Sequence, residues 1–61
     1  MFEEFVGREV QISTGLEGEL REFGYTLISY EGTVIHLKDV NNNPRVINTA
    51  NVSFSSIELE M

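Results

Sequence analysis

The sequence predicts an all-β fold: a five-stranded, strongly bent small barrel preceded by one short N-terminal helical turn. Two observations carry this. From Thr14 to Val40 the chain reads TGLEGELREFGYTLISYEGTVIHLKDV, short runs in which apolar and polar side chains alternate, as they do in half-buried strands. Glycines at Gly15, Gly18, Gly24 and Gly32 punctuate those runs, and glycine within or between strands marks the bends that turn a sheet back on itself. The whole chain, residues 1–61, reads as a single domain, without linker, repeat or low-complexity segment.

Taken in order, Phe2, Phe5 and Val6 have the i, i+3, i+4 spacing of one helical face. Glu3 and Glu4 stand in the first turn, where carboxylates suit the helix dipole, and Gly7 ends it. This turn is expected to cap an open end of the barrel. Residues 8–13 form the first strand, with Val10 and Ile12 inward and Glu9, Gln11 and Ser13 outward. Thr14-Gly15 turns the chain. A second strand is expected over 16–23, with Leu16, Gly18 and Leu20 inward and Gly18 as a barrel corner. Gly24 breaks the alternation and opens a strand over 25–30. Its two faces, Tyr25/Leu27 and Ile28/Tyr30, are both apolar, which suits a strand that is central or covered by another subunit. After a tight turn at Glu31-Gly32, residues 33–40 alternate again, Ile35 and Leu37 inward, Val34, His36 and Lys38 outward. Asn41-Asn42-Asn43-Pro44 is a turn by composition. Residues 45–47 resume a strand, one 3₁₀ turn is expected near 48–51, and Val52, Phe54, Ile57 and Leu59 make the last strand. A bulge at Ser55-Ser56 keeps Ile57 facing in.

Composition narrows the function classes. A chain of 61 residues buries only about 60% of the surface its unfolded form exposes, so helpers such as disulfides, metals or association are common at this size. There is no cysteine, which removes disulfides and thiolate metal sites and leaves self-association as the expected helper. Ten acids against four bases give a formal charge of −6, opposing non-specific attraction to phosphate backbones and anionic membranes. The acids are scattered rather than blocked, as in a solvated surface. No apolar run approaches the roughly 18 residues that span a bilayer, and the acidic start of the chain lacks the pattern of a signal peptide. The expected location is the cytoplasm, with no membrane partner, and the sequon Asn51-Val52-Ser53 is then incidental.

No catalytic or metal motif emerges, and no cofactor is expected. Asp39-Val40-Asn41-Asn42-Asn43 copies the first half of a calcium loop, but Pro44 occupies the place of the required glycine and Ala50 that of the bidentate glutamate. Glu17 and Glu19 lie about 7 Å apart along one strand face by strand rise, the ordinary pattern of a solvated edge. His36 is the single histidine, without a second ligand. Ser55 and Ser56 have no base beside them.

The pattern resembles the Sm-like family of SH3/Sm-like small barrels across nearly the whole chain. Gly7-Arg8-Glu9-Val10 matches its opening Gly-[Lys/Arg]-x-Val motif after a helix. Gly18-Glu19-Leu20-Arg21-Glu22-Phe23 matches its G-x-L-x-x-aromatic run, and Ile47-Asn48-Thr49-Ala50-Asn51-Val52 has the spacing of its late turn. The resemblance implies the barrel and ring assembly through strand edges. Its RNA-contacting positions are not matched: Gly24 and Ile28 stand where the family has Asp and Asn, and Asn48-Thr49 replaces its Arg-Gly.

These readings combine into one expectation: a non-enzymatic binding or assembly module, a homo-oligomer that self-associates through barrel edge strands. Interface candidates are Tyr30, Val34, His36 and Ile47. Candidate ligand-binding residues are Tyr25, Tyr30, His36, Arg45 and Asn48. Two alternatives are a single-stranded RNA binder using Tyr25, Tyr30 and Arg45 for stacking and phosphate contact, and a phage-type accessory protein. The latter's acidic surface would block a host protein or sequester a small nucleotide.

Overall fold

The computed structural model describes residues 2–60. A 3₁₀ turn over Glu3–Phe5 is followed by five strands, β1 (Glu9–Thr14), β2 (Leu20–Glu31), β3 (Val34–Lys38), β4 (Pro44–Asn48) and β5 (Phe54–Leu59). All pair antiparallel in one sheet of order β4-β3-β2-β1-β5. The Cα radius of gyration is 10.6 Å, the roughly 10.5 Å of a compact chain of this length, so the sheet is rolled up rather than spread flat.

β2 makes that curvature possible. Its first half, up to Thr26, pairs with β1, and its second half, from Thr26 onward, pairs with β3. The predicted strands over 16–23 and 25–30 are therefore one twelve-residue strand, and the expected strand start at Leu16 is corrected to Leu20. Gly24 does not end a strand. It sits where the β1–β2 register slips by one residue between Val10 and Ile12, at φ +82°, a left-handed backbone inside a bulge that glycine enters without penalty. Residues 15–19 are a loop, not sheet. Glu19 holds it by accepting the Glu17 N–H on its carboxylate at 3.0 Å. Leu16 and Leu20, expected inward, are 81% and 60% exposed.

A second bulge changes the face of Tyr30. Leu27 lies opposite Leu37, but Ser29 lies opposite His36, so Ile28 is the extra residue and alternation resumes one step late. Leu27 and Tyr30 both reach the core side, and Ile28 is left outside. The expected outer pair Ile28/Tyr30 is thus split. The third bulge falls where the sequence predicts it: Ser13 faces Ser56 and Thr14 faces Phe54, leaving Ser55 unpaired and Ile57 packed on the core.

The core consists of Phe2, Val10, Ile12, Leu27, Ile35 and Leu37, all buried, with Phe5, Tyr25, Tyr30, Ile47, Phe54, Ile57 and Leu59 partly buried around them. The N-terminal turn is 3₁₀ rather than α, so Phe2 and Phe5, three apart, share its inner side, while Val6 bridges to Leu27 from the edge. Phe2 meets the Tyr30 ring edge-on at 5.8 Å. The backbone N–H of Gly7 donates to the Leu27 carbonyl at 2.8 Å, and that of Leu27 to the Arg8 carbonyl, which ties the turn to β2. β3 stops at Lys38, and Val40, expected within it, lies in the following turn. Asp39 organises that turn, its Oδ1 accepting the N–H groups of Asn41 and Asn43, with Asn42 at φ +63°. Pro44 opens β4 instead of ending the turn, as an edge strand permits. After β4, residues 49–53 form two successive tight turns, Asn51 N–H to the Asn48 carbonyl and Phe54 N–H to the Asn51 carbonyl, in place of a 3₁₀ turn. Val52 is exposed there, outside β5.

Candidate functional site

The sheet order leaves β4 and β5 at its two ends, each paired on one side only. Rolling the sheet brings these two edges around the mouth of an open groove of about 420 Å³, lined by Leu20, Arg45, Val46, Ile47 and Phe54 with the polar turns beside them. Val46, exposed by 61%, and Leu20 put apolar surface at the rim, and Ile47 and Phe54 continue it into the core. None of the lining residues is Asp or Glu, in a chain with ten. The flanking loops meet through a short 2.6 Å hydrogen bond from the Gly15 N–H to the Ser53 carbonyl, and they carry the exposed Leu16 and Val52.

One side of the groove is fixed by a polar cluster between distant parts of the chain. Arg45 on β4 points inward with Ile47. Its Nη1 donates to Glu22 Oε1 in a close ion pair and to the Tyr25 hydroxyl at 2.9 Å. The Tyr25 hydroxyl in turn donates to the same Glu22 oxygen at 3.0 Å, and the guanidinium carbon lies 5.6 Å from the Tyr25 ring centre, within cation–π range. Partial burial disfavours charge on Arg45, but the hydrogen bonds it donates to Tyr25 and Glu22, with the charge of Glu22, outweigh it and hold its pKa above the ordinary value.

The residues singled out from sequence are distributed unevenly about this groove. Tyr25 and Arg45 are brought into contact, but through each other and Glu22 rather than toward an open face. Asn48 lines the groove, with its Oδ1 accepting from the Thr33 hydroxyl and the Ala50 N–H. Tyr30 lies against Phe2, and its phenol pKa is raised, first by its hydrogen bond with Glu3. Val34 and His36 belong to β3, whose two edges are both occupied within the chain, so neither can join an edge-to-edge ladder through its backbone. His36 Nε2 sits 3.9 Å from the Glu31 carboxylate. Of the four interface candidates only Ile47 is on an edge strand. Sequence reading passed over Glu22, Leu20 and Phe54 as site residues. The one available signal was the inward parity of Arg45 on a short strand, which demands a buried acceptor.

Among the described residues, no group of three or more His, Cys, Asp or Glu is placed to hold a metal ion, and no helix is long and apolar enough to cross a membrane. The chain matches no protein-family model, no curated protein and no solved structure among those compared.

Proposed function

We propose that this protein is a non-enzymatic assembly module that associates with copies of itself, the free edge of β4 in one copy pairing with the free edge of β5 in the next. The observation that carries the reading is the pair of unpaired edges flanking a groove of mixed polar and apolar lining that includes no Asp or Glu. Unpaired strand edges are templates for further pairing. Two different edges on one chain give a head-to-tail contact, which closes into a ring when the rotation between copies allows. A chain of charge −6 meets another copy of itself at lower electrostatic cost through a groove whose lining residues include no Asp or Glu. Strands of five and six residues also match in length.

Single-stranded RNA binding has weaker support, because Arg45, its main cation, is engaged by Glu22 and Tyr25. The test is size-exclusion chromatography with light scattering on the wild-type chain and Val46→Glu. A stable oligomer that shifts toward monomer in the variant supports the reading. A wild-type mass of 6.9 kDa at micromolar concentration refutes it.

A further inference from the structure

The geometry points to the Glu22–Arg45–Tyr25 cluster as the element that sets how many copies the assembly contains, by fixing the angle between the β4 and β5 edges; this rests on the self-association reading above. In a head-to-tail ring, the angle each copy imposes between its two contact edges decides at what number the ring closes. Here the two edges lie at opposite ends of a five-strand sheet, connected by a ladder that passes through three bulges. Bulges increase local twist and bend, so strand order alone does not set the relative position of the two ends.

The cluster crosses that gap directly. Glu22 lies in the part of β2 paired with β1, opposite Ile12, whereas Arg45 lies on β4, which pairs only with β3. Their contact joins the β1–β5 half of the barrel to the β3–β4 half without passing along the ladder. It is also a closed three-way arrangement: Arg45 donates to both partners, and Tyr25 donates to Glu22. Each side chain therefore restrains the other two, and the planar guanidinium against the tyrosine ring adds an orientation that a lysine at this place would not supply. Arg45 lies on the groove lining between the edges, where a small change in its position alters their separation. An inward-pointing charge on an edge strand also blunts uncontrolled pairing, and its partners on β2 allow β4 to keep that charge without leaving it unpaired.

Native mass spectrometry of the wild-type chain, Tyr25→Phe and the double variant Glu22→Gln/Arg45→Met tests this, with far-ultraviolet circular dichroism to show that each is folded. Tyr25→Phe keeps the ring and removes only the hydroxyl, so it covers the case in which the double variant does not fold. The expected result is one dominant stoichiometry for the wild type and its loss, to a spread of stoichiometries or a different dominant number, in a folded variant. An unchanged single stoichiometry in the folded variants overturns the role of the cluster while leaving self-association standing. A monomeric wild type instead overturns self-association itself, and the inference with it.

Discussion

Replacing Gly24 by alanine tests whether β2 is one strand bent through a left-handed residue. Gly24 has φ +82°, and an L-residue held in that region costs roughly 1–2 kcal/mol. An added Cβ would meet only a Val40 methyl at 3.4 Å, ordinary contact, so sterics contribute little. The loss of freedom in the unfolded chain returns about 0.4–1 kcal/mol, leaving a net destabilisation of about 1 kcal/mol. For a domain of this size that lowers Tm by about 4–8 °C. Gly18→Ala has the same backbone strain at φ +69°, but its Cβ falls 2.9 Å from the Ser55 hydroxyl, so it should lose more. Gly24→Asn should recover part of the loss, because asparagine enters the left-handed region more readily than alanine. Thermal unfolding followed by circular dichroism, at one fixed protein concentration because association would couple to Tm, reads all three. A Tm for Gly24→Ala equal to or above wild type would refute the bend as described.

Leu27→Ala removes a fully buried side chain at the meeting of β1, β2 and β3 and should cost about 2–5 kcal/mol, most of the roughly 3–9 kcal/mol available to 61 residues. Val40→Ala, at an exposed turn position outside the groove lining, should stay within about 0.5 kcal/mol of wild type; urea unfolding compares the two. The Asp39 carboxyl is held below its ordinary pKa, first by the Asn43 N–H; burial opposes this, and the Asn41 N–H and the Asn43 side-chain amide add to the lowering. Its stabilisation of the turn is therefore present above about pH 3.9 and lost as pH falls through the lower folded value. NMR titration of the Asn41 and Asn43 amides should show that midpoint, and one at or above 3.9 would count against the turn. The raised pKa of Tyr30 has the opposite sign: its hydrogen bond with Glu3 stabilises the fold below about pH 10 and is lost as pH rises through the folded value. An ultraviolet titration of wild type against Tyr30→Phe should show the removed phenol ionising above 10.

The strands were legible where alternation and burial agree. Val10, Ile12, Ile35 and Leu37 alternate in sequence and are buried in the structure, and Ser55 is the bulge that the spacing of Phe54 and Ile57 requires. Misreadings cluster at the glycines of the long central stretch. Leu16, Gly18 and Leu20 have strand periodicity, yet the positive φ values at Gly15 and Gly18 turn the segment into a loop, and two-residue periodicity cannot distinguish these outcomes. The Ile28 bulge left no mark because both of its neighbouring faces are apolar, so a one-step slip conserves the pattern while moving Tyr30 inward. The polar cluster depends on residues 23 and 20 positions apart. Tyr25 and Arg45 were recognisable as unusual in sequence, but which of the ten acids would meet Arg45 is decided by the roll of the sheet.

The placement of β5 beside β1 has a consequence for how the chain folds. β1 to β4 form a run of neighbours, each closed by a short connection, and can zip up from local contacts. The last strand in order must instead return across the whole meander to Val10, Ile12 and their neighbours, a pairing of high sequence separation and correspondingly slow formation. Until it arrives, the apolar edge of β1 stands open, and the β5 of another chain fits it as well as its own. At high concentration during refolding, strand exchange at this position competes with correct closure. Dilution should therefore raise the yield of properly closed protein even if the finished molecule is an oligomer.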